Sequence, residues 1–70
     1  MEQNVLGRFR HYKGQEYEVL TLAKHSETTE DLVVYRALYG DRQVWVRPKA
    51  MFFETVCIDG IEKPRFEKIG

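Results

Sequence analysis

Residues 32–48 read Leu-Val-Val-Tyr-Arg-Ala-Leu-Tyr-Gly-Asp-Arg-Gln-Val-Trp-Val-Arg-Pro. Two runs rich in β-branched and aromatic residues flank a Gly-Asp turn, and such residues fit a pleated, half-buried surface. The stretch holds the single tryptophan and two of the four tyrosines. It predicts a hairpin on which a small β domain is built. Side chains alternate along a strand, so Leu32, Val34, Arg36 and Leu38 share one face and Val33, Tyr35, Ala37 and Tyr39 the other. Val44 and Val46 are likewise opposed to Trp45 and Arg47. Both faces of the first run are mostly apolar, which predicts a central strand. Pro48 ends the second run, because it has no N–H to give to a ladder.

The rest of the chain extends this pattern. Residues 8–12 alternate charge with aromatic or imidazole, as a half-buried strand does. Gly14 turns the chain. Residues 16–24 form a long run with Tyr17, Val19, Thr21 and Ala23 on one face. Each face changes character partway along, which predicts a strand that bends, through a bulge or at a barrel corner. Residues 25–31 are polar and aperiodic, a surface loop; alternatively Thr28 and Asp31 cap a single helical turn. Helix formers follow Pro48 for one or two turns, over residues 49–53. Residues 55–58 and 61–69 flank Asp59-Gly60, a strong hairpin signal, and Pro64 makes the last run an edge or bulged strand.

These elements predict one mainly β domain over residues 1–70, a small SH3-like antiparallel barrel of five or six strands with one short helical turn. Residues 1–4 are expected to fray. An OB-like barrel would need a clearer helix where only the Gly-Asp turn stands. The expected core is Val19, Val34, Leu38, Val44, Val46, Phe52, Val56 and Ile58.

Charge and cysteine usage narrow the function classes. Eleven basic residues balance eleven acidic ones, so no global field draws the chain to nucleic acid or an anionic membrane. The charges come in blocks, which either pair across neighbouring strands or make a dipolar surface. One cysteine excludes an intrachain disulfide and points to a reducing, cytoplasmic compartment. No apolar run approaches the roughly 20 residues of a membrane helix, and residues 1–7 do not read as a signal peptide.

The chemistry-bearing residues are sparse. Two histidines and one cysteine without a paired-cysteine motif do not make a zinc site. The acids of residues 27–31 lack the ligand spacing of a calcium loop. The glycines stand singly, so no phosphate cradle forms. No metal, cofactor or catalytic residue is therefore expected. Cys57 reads as a small strand residue, and His25 as a loop cap with a functional imidazole as the rival reading. The remaining candidate is aromatic and basic: Tyr12, His25, Tyr35, Tyr39, Trp45 and Arg47, rings beside cations that suit an extended peptide or a stacked base. The rival reading puts Trp45 and some of the tyrosines in the core. The hairpin register decides whether the Tyr35–Tyr39 face and the Trp45–Arg47 face coincide.

The segments Arg10-His11-Tyr12-Lys13-Gly14, Tyr17-Glu18-Val19, Ala23-Lys24-His25-Ser26-Glu27-Thr28, Val34-Tyr35-Arg36-Ala37-Leu38-Tyr39-Gly40 and Trp45-Val46-Arg47-Pro48 with Met51-Phe52 occur in this order. Together they resemble the small bacterial proteins grouped as domain of unknown function 1653, over about residues 8–66. The resemblance implies a stand-alone cytoplasmic bacterial domain with an SH3-like barrel. It brings no activity, cofactor or site residue, though it draws the eye to the loop His25-Ser26-Glu27-Thr28.

Three functions remain. The first is a monomeric binding module that holds a peptide, protein or other ligand on its aromatic-basic face. The second is a nucleic-acid binder using Arg36, Arg42, Arg47 and Lys49 in one stripe, which the balanced charge disfavours. The third is a small enzyme around His25, which needs a pocket that a domain of this size seldom encloses. No membrane role is expected.

Overall fold

A computed structural model describes residues 6–70. The chain runs β1 (Gly7–His11), β2 (Glu16–Lys24), β3 (Asp31–Ala37), β4 (Val44–Pro48), α1 (Lys49–Phe52), β5 (Thr55–Ile58), β6 (Ile61–Pro64) and β7 (Phe66–Lys68). Strands β4-β3-β2-β1-β7 form one sheet and β5-β6 a second, and every pairing is antiparallel. The domain is therefore mainly β with one short helix. The expected fraying of residues 1–4 lies outside the described residues.

Two expectations about the barrel are corrected. The large sheet does not close: it ends on β4 at one side and on the three-residue β7 at the other. There are seven strands among the described residues, because the last run divides at Arg65. Its first half pairs with β5 and its second half with β1. Arg65 makes the corner with its own backbone: its N–H donates to the Glu54 carbonyl at 3.0 Å, and its carbonyl accepts from Tyr12 N–H at 2.9 Å. Pro64 sits where the ladder must stop.

The bend of β2 is a bulge. Pairing with β3 runs Tyr17↔Ala37, Glu18↔Arg36 and Val19↔Tyr35, then resumes at Thr21↔Val34 and Leu22↔Val33. The register slips at Leu20, so the inward face is carried by Tyr17 and Val19 before it and by Leu22 after it. That slip is why neither face read cleanly in sequence. The 59–60 turn forms as expected, with Asp59 and Gly60 both at positive φ (53° and 79°), the backbone of a tight two-residue hairpin.

One face of the large sheet is covered by rings. Phe9, Val19, Val33, Tyr35, Phe52 and Phe66 are buried together. Phe52, the last residue of α1, and Phe66, the first of β7, stack in parallel with centroids 4.1 Å apart. Phe9 meets Phe52 edge-on at 5.4 Å, and Tyr35 does so at 5.2 Å. Burying one such ring contributes about 1.5–3 kcal/mol, so a few rings supply much of this small core.

Of the eight expected core residues, Val19 and Phe52 are buried and the other six are not, chiefly because β3 faces the other way. β3 turns Val33, Tyr35 and Ala37 inward, while Val34 and Leu38 are half-buried. Both faces of that run are apolar, so alternation alone does not choose between them. The choice follows from α1, whose Phe52 packs on Tyr35. Val44 and Val46, opposite Arg36 and Val34, then fall on the outer face and are 50% and 59% exposed. Val56 and Ile58 are half-buried in the small sheet. On the outer face the charge blocks meet across strands, Arg8 opposite Glu18, Glu18 opposite Arg36, and Arg10 between Glu16 and Glu67.

Candidate aromatic-basic site

The hairpin register answers the question the sequence left open. Tyr35 pairs with Trp45, and Val33 pairs with Arg47. Residues directly opposite in an antiparallel pair project to the same side. Trp45 and Arg47 therefore stand on the inner face beside Tyr35. Because β4 is the edge strand, this end of the face is not roofed, and Trp45 remains 52% exposed. Trp45 is thus not a core residue.

Tyr17, Tyr35, Tyr39, Trp45 and Arg47 line a cavity of about 240 Å³. Tyr17 meets Tyr35 edge-on at 5.4 Å and Tyr39 at 5.6 Å. The Tyr17 and Tyr39 hydroxyls are hydrogen-bonded at 2.8 Å. Arg47 Nε–H donates to the Tyr35 hydroxyl at 3.5 Å, a long contact, and its guanidinium lies 6.0 Å from the Phe66 ring centre. Among the described residues no carboxylate is paired with Arg47; the ion pairs join Arg10 to Glu16, Lys24 to Asp31 and Arg65 to Glu54.

The electrostatics follow from this packing. Burial, then the Tyr39 hydroxyl bond, push the Tyr17 phenol up to about 12, against a smaller downward pull from Arg47. Tyr17 therefore stays a neutral phenol at neutral pH. On its far side His11 meets Phe66 edge-on at 4.9 Å. Burial and then the Arg65, Lys13 and Arg47 charges lower the His11 pKa from 6.5.

Four of the six sequence candidates, Tyr35, Tyr39, Trp45 and Arg47, share this pocket. Tyr12 does not. Its ring lies tilted against His11 at 4.5 Å, and it lines a separate cleft of about 320 Å³ with Lys63, Pro64 and Glu67. His25 lies at the other end of the sheet, beyond Asp31. Asp31 and Ala37 are six steps apart along β3, roughly 20 Å at about 3.4 Å per step. His25 Nδ1 accepts the Glu27 and Thr28 N–H groups at 3.1 and 3.4 Å, and its backbone closes the loop through Glu30 and Thr29. The loop-cap reading of His25 is the one its hydrogen bonds match. Tyr17 was missed: counted from the 25–30 connection alone it would stand opposite Leu38, and only the slip at Leu20 brings it opposite Ala37, on the Tyr35 face.

The other chemistry is thin. No group of three His, Cys, Asp or Glu among the described residues could hold a metal. Cys57 is exposed and free. The four cations considered for nucleic acid do not form one stripe, because Arg36 pairs opposite Val44 on the outer face while Arg47 is on the inner one. No described helix is long and apolar enough to cross a membrane.

Comparison with known proteins agrees with the resemblance read from sequence. The family model described as protein of unknown function DUF1653 matches residues 7–68. The chain superposes with a TM-score of 0.85 on the crystal structure of a DUF1653 protein from Bordetella bronchiseptica, at 39% identity, covering 93% of this chain and 86% of that one. No curated protein matches it. The chain belongs to the DUF1653 family.

Proposed function

We propose that this DUF1653 domain is a binding module that holds an extended peptide segment against the pocket of Tyr17, Tyr35, Tyr39, Trp45 and Arg47. The register of β3 with β4 carries the reading: Tyr35 opposite Trp45 brings rings and a guanidinium to one side, at the open edge of a sheet. An extended segment is the ligand shape that an edge strand accepts, by adding to its ladder while its side chains enter pockets alongside. Val44, Trp45 and Val46 are each at least half exposed on that strand, an apolar edge that isolated domains usually blunt with charge. The rings offer flat apolar contact at little entropic cost.

The test is an NMR titration of isotopically labelled protein with extended peptides. The expected result is that shifts cluster on Tyr17, Tyr35, Tyr39, Trp45 and Arg47 and on the β4 amides, and that Tyr39→Ala and Arg47→Ala lose them while each variant keeps a native-like amide spectrum. Shifts confined to the 25–30 loop or the Tyr12 cleft, or none at all, would overturn the reading.

A further inference from the structure

The hydrogen-bonding inventory of the pocket is lopsided. Of the two protons in the Tyr17–Tyr39 hydroxyl pair, one is spent within the pair and the other is free to point outward. Tyr35 accepts from Arg47, so its own O–H proton is also free. Arg47 keeps its four terminal N–H groups, and the Trp45 indole N–H is a donor without an acceptor function. Against these donors the pocket lining offers no carboxylate and no carbonyl-bearing side chain. A half-buried guanidinium is normally paired, because an uncompensated charge in such a place is costly. Here it meets the Tyr35 hydroxyl and the face of Phe66.

From this we infer that the pocket recognises a carboxylate on the bound segment, seated on the Arg47 fork and the free hydroxyl protons of Tyr35 and the Tyr17–Tyr39 pair. The inference rests on the peptide-binding reading and names the chemistry that reading needs. A carboxylate is favoured over a phosphate on charge: the lining contains one cation, enough for a monoanion, whereas phosphate sites gather several charges or backbone N–H groups. The flat aromatic walls also suit a planar group held two-pronged by a planar guanidinium. The carboxylate could be an Asp or Glu side chain or a chain terminus, since both present the same atoms.

Three short peptides of alternating threonine and valine separate these cases. One ends in a free carboxylate, one is amidated with a central glutamate, and one is amidated and neutral. At fixed ionic strength, at least one carboxylate-bearing peptide is expected to bind about tenfold or more tighter than the neutral amide, and to shift Arg47 Hε and the Trp45 indole proton. Which of the two does so identifies the source of the carboxylate. The preference is expected to vanish in Arg47→Gln and to shrink in Tyr39→Phe, which keeps the ring and removes the hydroxyl. A native-like amide spectrum for each variant separates lost recognition from lost folding. Equal binding of all three peptides at the pocket overturns the carboxylate inference and leaves the peptide reading standing. Binding by none overturns the peptide reading and the inference built on it. Inorganic phosphate displacing no peptide at millimolar concentration agrees with the assignment; phosphate that shifts Arg47 more than either carboxylate overturns it.

Discussion

The hydroxyls of Tyr17 and Tyr39, 22 positions apart in the chain, meet at 2.8 Å over the mouth of the aromatic pocket. Tyr17 is the deeper of the two, and burial followed by this bond pushes its pKa up to about 12. Its ordinary value is about 10 in an unfolded chain. The folded state therefore favours the neutral phenol. That contribution is fully present below about pH 10 and is lost as the pH rises toward about 12. Urea midpoints measured across this range should fall for the wild type and fall less for Tyr17→Phe. Parallel curves for the two proteins would contradict the assignment. Tyr39→Phe should cost about 0.5–1 kcal/mol at neutral pH, the size of one partly exposed hydrogen bond.

His11 provides the acid-side counterpart. Burial, then the fields of Arg65, Lys13 and Arg47, lower its pKa, and its Nδ1 already accepts the Lys13 N–H at 3.1 Å. A depressed basic group favours folding while neutral, so its contribution is complete above about pH 6.5 and is lost as the pH falls through the folded value. The His11 ring protons should titrate with a midpoint below 6.5, and Arg47→Gln should move that midpoint upward. A midpoint at or above the ordinary value would refute the packing described for this corner.

The fold and the site were legible to different depths, for reasons visible in single residues. The Asp59-Gly60 hairpin, the helical turn after Pro48 and the bend in β2 each rest on local backbone chemistry, and each formed where the residues placed it. Val34 and Val33 are the contrary case. Both are β-branched, they alternate, and nothing local says which one faces the core; Phe52, arriving from α1, decides it. The closed barrel failed for a similar reason, since the division of the last run at Arg65 depends on Glu54 and Tyr12, both remote in sequence. Tyr35, Tyr39, Trp45 and Arg47 could be proposed together, but whether they met turned on one register, which a one-residue slip would have reversed.

The aromatic core makes a sharp stability contrast. Phe52 is wholly buried, stacked on Phe66 and edge-on to Phe9 and Tyr35. Truncation to alanine should cost about 3–5 kcal/mol, a large part of the stability of a domain this small. Val46 is 59% exposed on the outer face, and Val46→Ala should stay within about 0.5 kcal/mol. Chemical denaturation of the two variants checks the facing of β3 and β4 directly. A Val46→Ala loss comparable to that of Phe52→Ala would mean that the outer face is packed against something in solution.

The single tryptophan reports on the pocket without any ligand. Trp45 is half exposed on the inner face, two residues from Arg47 on the same strand, so a quencher in solution can reach its indole. Iodide is an anion and acrylamide is neutral. The guanidinium raises the local concentration of the first and not of the second, an effect that salt screens. Iodide should therefore quench Trp45 well at low ionic strength and less well as an inert salt is added. Arg47→Gln should weaken quenching by iodide while leaving quenching by acrylamide nearly unchanged. Equal loss with both quenchers would mean that the substitution closes the pocket, and no loss with either would mean that Arg47 does not face the indole.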